Sequence, residues 1–197
     1  MVRIFAAGDL HSYRVRAKEL ALHAVKYNVD LILLNGDLVE EGDSEGVLHY
    51  FVKTGKPVFL IPGNHDWMAT DFLAQKYNVT NLHGKSLMHD NIGIFACGGT
   101  NMGQLTELEI YQTVKSAHSQ LKAPLKKILL SHVHPAGTKM ATFSRFVPGS
   151  TGLRKAIEAT KPDIVLCGHV HEAEGIEEKI GNTLVVNVGK KGKIIDV

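Results

Sequence analysis

The chain predicts an α/β fold built on buried, mostly parallel strands. Short runs rich in Val, Ile and Leu alternate with stretches of helical periodicity. Those runs are continuously apolar rather than alternating, the pattern of strands covered on both faces. With 197 residues, 44% of them hydrophobic, the chain can bury a real core, and its composition excludes disorder.

The elements follow in order. "VRIFAAG" reads as the first strand, and "YRVRAKELALHAVKYN" as a helix with Val15, Leu20, Leu22 and Val25 on or near one face. "DLILLNG" is the second strand. "SEGVLHYFVKTG" is a helix, with Ser44 as its N-cap and Gly55 as its terminator. "PVFLIPG" is the third strand. The stretch "NVTNLHGKSLMHDNIGIFACGG" is broken by Gly, Asn and Asp and reads as hairpins. "LTELEIYQTVKSAHSQLKA" is a helix, and "LKKILLSH" another buried strand. "VHPAGTKMATFSRFVPGST" has no period and is long for a loop, which points to a functional segment. Ser150 or Thr151 caps the helix "GLRKAIEAT", "PDIVLCG" is a further strand, and "GIEEKIGNTLVVNVGKKGKIIDV" reads as antiparallel strands joined by "GN" and "KKG" turns. No linker, repeat or low-complexity segment divides the chain, so a single domain over residues 1–197 is expected.

Bulk properties narrow the function classes. A formal charge of +2 gives no electrostatic case for nucleic acid, and the short lysine pairs read as solvated faces. No apolar run is long enough to span a membrane, and "MVRIFAAGDLH" turns polar at once, unlike a signal peptide. A cytoplasmic protein is expected, with Cys97 and Cys167 as free, half-buried thiols. An exposed edge among the C-terminal strands would offer a surface for a homodimer.

The chemistry lies at the strand ends. The five buried strands are followed by Gly8-Asp9-Leu10-His11, Gly36-Asp37, Gly63-Asn64-His65-Asp66, Ser131-His132-Val133-His134 and Gly168-His169-Val170-His171. In α/β sheets the carboxyl edge is where ligands bind, so groups distant in the chain converge there. A Gly-Asp pair alone is ordinarily a turn or an N-cap. Five such endings at one edge are not explained that way. Carboxylates, imidazoles and an amide oxygen suit divalent transition metals, and the donors outnumber what one ion needs. Two metals bridged by Asp37 are the economical reading, with phosphoester hydrolysis as their natural use.

Asp9-x-His11, Gly36-Asp37, Gly63-Asn64-His65-Asp66, His132 and Gly168-His169-x-His171 resemble, in order and spacing, the motifs of the calcineurin-like metallophosphoesterases. The likeness runs from residue 9 to residue 171 and continues into "NTLVVNVG", which looks like the ending of the small single-domain bacterial and archaeal members. The resemblance implies a four-layer α-β-β-α sandwich. It implies one metal on Asp9, His11, Asp37 and His171 and another on Asp37, Asn64, His132 and His169. A hydroxide between the metals would attack phosphorus in line. His65 would face the substrate and stabilise the transition state or protonate the leaving oxygen, with Asp66 orienting it. Manganese heads the candidate metals, and iron, zinc, nickel and cobalt share the donor set.

The expected substrate is a small phosphoester, with nucleotides among the candidates. Asp37 is followed by "LVEEGD" and lacks the arginine with which phosphoprotein phosphatases of the superfamily grip phosphate; there is also no sign of the nucleases' capping domain. A phosphodiesterase is therefore favoured over a phosphomonoesterase. The alternative is a catalytically weak binding or scaffold module of the same fold, as in the retromer scaffold subunit. Against it, every motif position for a metal is filled. His134 could line the pocket or be an ordinary loop residue. Lys139 and Arg145 could meet a phosphate or be solvated charges. His23, His49, His83, His89 and His118 lie away from the strand ends.

Overall fold

A computed structural model describes residues 1–40, 42–43, 45–144 and 146–197. Along the chain lie β1 (Arg3–Ala7), α1 (Arg14–Lys26), β2 (Leu31–Leu34), α2 (Leu48–Val52), β3 (Val58–Leu60), α3 (Thr70–Tyr77), β4 (Thr80–Asn81), β5 (Ser86–His89) and β6 (Ile92–Cys97). They are followed by α4 (Glu107–Ser119), β7 (Lys126–Ser131), α5 (Thr151–Thr160), β8 (Ile164–Cys167), β9 (Glu177–Ile180), β10 (Thr183–Asn187) and β11 (Lys193–Asp196).

The strands form two sheets, ordered β11-β1-β2-β3-β4 and β5-β6-β7-β8-β10-β9. Strands β1 to β4 pair in parallel, as do β6, β7, β8 and β10; β5, β9 and β11 pair antiparallel. Because side chains alternate along a strand, each strand feeds two apolar layers. Ile4, Leu31, Leu33, Ile94, Ile128, Leu130 and Leu166 fill the space between the sheets. Phe5, Ile32 and Leu34 turn the other way, onto α1, α2 and α3, while Phe95, Leu129 and Val165 turn onto α4 and α5. The result is the expected four-layer α-β-β-α sandwich. Each fully buried large side chain contributes about 1.5–3 kcal/mol of transfer free energy, which is what fixes the sheets against one another.

Local chemistry sets several boundaries. Thr106 opens α4 with a capping box: its hydroxyl accepts the Glu109 N–H, while the Glu109 carboxylate accepts the Thr106 N–H at 2.7 Å. Ser150 caps α5 as expected, accepting the Leu153 N–H at 3.0 Å. Both cysteines are free and buried.

Some elements depart from expectation. The buried face of α1 is Ala17, Leu20, Ala21 and Ala24, whereas Val15, Leu22 and Val25 are exposed. Close packing of the helix on the sheet admits Leu20 with three small residues, so Ala17, Ala21 and Ala24 and not Val15, Leu22 and Val25 share its inward face. The helix expected from residue 44 begins only at Leu48. Ser44, expected to cap it, lies outside the described residues. The eight-residue α3 escapes a periodicity reading because it is barely two turns long. Thr80 and Asn81 do not enter a hairpin but pair in parallel with β3. At the C-terminus, the "GN" turn joins β9 to β10 as expected, but the chain then crosses to the other sheet, where β11 pairs with β1. No helix among the described residues is long and apolar enough to cross a membrane.

Candidate metal centre

The carboxyl ends of β1, β2 and β3 in one sheet and of β7 and β8 in the other meet at one edge of the sandwich. Asp9 and His11 leave β1, Asp37 leaves β2, Asn64 and His65 leave β3, His132 follows β7, and His169 and His171 follow β8. Asp9, His11, Asp37 and His169 hold positive φ angles of 52°, 45°, 50° and 71°. Such backbone costs about 1–3 kcal/mol per residue and persists where the surroundings enforce it, typically at functional sites. The turns after β2 and β3 lie against each other at Gly36 (φ +97°), where a Cβ would sit 2.5 Å from the Gly63 nitrogen.

The donors form interlocking groups. Asp9, His11 and His171 make one, Asp37, His132 and His169 a second, and His11, Glu40 and His65 a third; within each, the ligand atoms lie within 4.8 Å of one another, a spacing that could hold a metal ion. His11 Nε2 and His171 Nε2 are 3.2 Å apart. Asp37 Oδ2 lies 3.3 Å from His132 Nε2 and 3.8 Å from His11 Nε2, so it stands between the first two groups. Asn64 Oδ1 is 3.1 Å from His132 Nε2. Every residue expected as a ligand is thus brought to this edge.

Two histidines are oriented by their far nitrogens. His132 Nδ1 faces the Asn35 carbonyl at 2.8 Å, and His11 Nδ1 faces Glu40 Oε1 at 2.7 Å. Each contact assigns the proton to Nδ1 in the neutral ring and leaves the Nε2 lone pair toward the cluster. His169 Nε2 is buried with no hydrogen-bond partner among the described residues. A buried imidazole nitrogen left orphaned beside carboxylates fits a metal donor.

Burial and mutual charge set the protonation states. Burial raises Asp9 above the ordinary carboxylate value and outweighs the opposing charge of His132; Asp37 adds to the rise. Burial alone would also raise Asp37, but the charge and hydrogen bond of His132 and the His65 N–H, 2.9 Å from Asp37 Oδ1, carry it well below the usual range. Burial works against the His132 cation, yet Asp37 and then Asp9 push that histidine up to about 9. His169 is held down to about 3, first by burial and then by His132. These are the marks of ionisable groups packed against each other at a functional site.

The orienting role expected for Asp66 is corrected by its contacts. Asp66 is buried, and its oxygens accept the Leu38 N–H at 2.7 Å and the Gly63 N–H at 2.6 Å. It ties together the loops that carry Asp37 and Asn64. A buried carboxylate takes whatever donors the backbone presents, and here those are two loop amides. The carboxylate at His65 is instead Glu40, whose Oε2 lies 3.2 Å from His65 Nδ1. Glu40 and Asn35 were absent from the sequence-derived site. A second carboxylate three residues beyond Asp37, on the same turn, was the available signal for Glu40.

His134 is fully buried, and burial holds it down to about 4. It does not line the open site. Lys139 is exposed, with its N–H bonded to Glu178 on β9. Arg145 lies outside the described residues.

A family model for the calcineurin-like phosphoesterases matches residues 2–173. The 3',5'-cyclic adenosine monophosphate phosphodiesterase CpdA of Haemophilus influenzae is 28% identical over 156 residues, which cover 73% of this chain and 55% of that protein. The chain therefore spans about half the length of this curated relative. Among solved structures, the Thermus thermophilus protein TT1561 is similar at a TM-score of 0.75 and 18% identity, covering 99% of this chain and 98% of that one. A dimetal phosphatase from Danio rerio is similar at a TM-score of 0.67 and 10% identity, covering 94% and 86%.

Proposed function

The chain belongs to the calcineurin-like phosphoesterase family, and on that premise we propose that it is a metal-dependent phosphoesterase that prefers phosphodiesters. The observation carrying this reading is the interlocked arrangement of Asp9, His11, Asp37, Asn64, His132, His169 and His171 across the two sheets. We assign Asp9, His11, Asp37 and His171 to one divalent ion and Asp37, Asn64, His132 and His169 to a second. Manganese is the first candidate, and the donors equally suit iron, zinc, nickel or cobalt. When bound, such ions supply Lewis-acid charge for the phosphoryl oxygens and a water of lowered pKa.

The chain's own residues do the rest. Asp37, held by the His65 N–H on one oxygen and facing two imidazoles with the other, is placed to be shared between the two donor sets. Asn35 and Glu40 fix which nitrogens of His132 and His11 face inward. His65 is 44% exposed in its side chain and held through Nδ1 by Glu40, so its Nε2 is left for substrate. From there it would stabilise charge on a phosphoryl oxygen or protonate the leaving oxygen. The preference for diesters is supported by the cyclic-nucleotide phosphodiesterase named among the relatives and by the missing arginine after Asp37. We further propose a small phosphoester as substrate and a single catalytic domain over residues 1–197.

The test uses bis-p-nitrophenyl phosphate and p-nitrophenyl phosphate with added manganese. The wild type should cleave the diester faster than the monoester, and Asp37→Ala should cleave neither. Wild-type rates no higher than those of Asp37→Ala would remove the enzyme reading and favour a binding module.

A further inference from the structure

Beside His65 the surface opens into a cleft of about 530 Å³, lined among others by Asn64, His65, Trp67, Met68, Gly103 and Gln104. Its size is that of a small-molecule pocket. Asn64 and His65 place one wall at the candidate metal centre, so the cleft lies where a group attached to a bound phosphate would extend.

Another part of the lining is aromatic and closely packed. Trp67 packs edge-on against His83, with ring centroids 5.2 Å apart at 85°. Behind it the backbone of Gly99 comes so close that a Cβ there would lie 2.5 Å from Trp67 Cζ3. The indole is thus fixed before any ligand arrives, which lowers the entropic cost of stacking on it. The same wall carries free donors. Among the described residues, no hydrogen bond engages Trp67 Nε1, while Gln104 Oε1 is taken by the Thr100 hydroxyl at 2.7 Å, which leaves the Gln104 amide N–H groups without a partner. Met68, 90% exposed, adds a polarizable thioether at the mouth.

An aromatic face, the unpaired N–H groups of Trp67 and Gln104 and a thioether match a planar heterocycle with ring nitrogens or carbonyls as acceptors. A plain alkyl group would pack on the indole but leave these N–H donors unpaired, and a plain sugar offers the indole no π-face. A cationic head group would find no carboxylate among the described lining residues. We propose that this cleft is the leaving-group subsite and that it takes the base of a nucleoside phosphodiester, with Trp67 stacking on the base and Gln104 donating to its edge. The proposal deepens the phosphoesterase reading and rests on it.

Trp67 is the chain's single tryptophan, so its fluorescence reports directly on the cleft. Manganese-loaded protein is titrated with AMP and with ribose 5-phosphate, which carries the same phosphate and sugar but no base. AMP should quench the fluorescence and bind on the order of tenfold tighter, the scale of one base stacked on an aromatic side chain. Gln104→Ala should cut that preference while leaving ribose 5-phosphate binding alone. Gln104 is used because replacing Trp67 would also disturb its packing on His83 and Gly99. Equal affinities, tighter AMP binding without quenching, or a preference untouched by Gln104→Ala would each overturn the subsite. The same preparation is assayed with bis-p-nitrophenyl phosphate. Cleavage without an AMP preference overturns the subsite alone. A quenching AMP preference without cleavage supports the base site and overturns the phosphoesterase reading.

Discussion

The site contains two histidine–carboxylate groups in opposite surroundings. In the inner one, His132 and Asp37 are sealed, with side-chain exposures of 0% and 3%, and each strongly perturbs the other's ionisation. In the outer one, His65 and Glu40 are 44% and 48% exposed, joined by a single 3.2 Å contact. The inner groups are held in their charged forms by each other, in a dry site where an unpaired ion would be costly. The outer pair faces water, and His65 also lines the Trp67 cleft, where a side chain can meet a substrate. The difference separates holding a metal from handling a substrate, and each of the following experiments acts on one side of it.

The largest effect should come from the inner group. Asp37→Ala removes the carboxylate that stands between the two donor sets, so metal content and activity should fall together. The loss should exceed the about 10²–10⁴-fold that a single acid–base residue contributes. Metal analysis of the purified variant alongside its diesterase rate checks this. A variant that keeps its metal and most of its activity would break the inner assignment.

His65→Ala should separate the two groups. With the inner donors intact, metal content should stay at the wild-type level while kcat falls about 10²–10⁴-fold. If metal is lost as well, His65 belongs with the ligands and the distinction fails.

Glu40 and Asp66 sharpen the boundary, because the two carboxylates compete for the role of partner to His65. Glu40→Gln weakens the contacts to His11 and His65 without emptying the space, and activity should drop about 10–100-fold, the usual cost of losing a residue that orients a ligand. Asp66→Ala should act on the fold instead. It strips the Leu38 and Gly63 amides of their acceptor, at about 1–3 kcal/mol for each. Thermal unfolding should show the loss in Asp66→Ala and leave Glu40→Gln near the wild type. The reverse pattern would return the orienting role to Asp66.

The inner donors were legible in the sequence because a polar residue directly after a buried apolar run has few places to go. Asp9, Asp37, Asn64, His132 and His169 all emerge from strand ends, and parallel pairing puts those ends on one edge. The sandwich was legible only through the motif resemblance, since strand runs alone do not say which sheet each joins. The outer group was half legible. His65 was found through its neighbours, but its carboxylate was assigned to the adjacent Asp66, and adjacency in a chain does not set side-chain direction. Asp66 turns inward to two amides, while Glu40 comes from another strand's turn. The face of α1 was misread for a related reason. Bulky residues dominate a hydrophobicity pattern, yet of those only Leu20 is buried, beside Ala17, Ala21 and Ala24. The cleft depends on segments that meet where Gly99 lies against Trp67, a contact that no periodicity in the sequence marks.

A pH dependence is expected within the inner group. Burial opposes the His132 cation, but Asp37, Asp9 and the Asn35 carbonyl raise its folded value from the ordinary 6.5 to about 9. In the metal-free protein this protonated histidine therefore stabilises the fold. That contribution is complete below pH 6.5 and disappears as pH rises through about 9. A metal ion must displace the proton from Nε2, so the same proton that supports the empty fold competes with the metal. Manganese affinity should rise by up to about tenfold per pH unit up to about pH 9 and level off beyond it. The melting temperature of the metal-free protein should fall over that window relative to the metal-loaded form. Manganese titrations at several pH values, paired with melts of both forms, measure the two slopes. Affinity that does not change across the window would mean that His132 gives up no proton on binding, and would move it out of the inner ligand set.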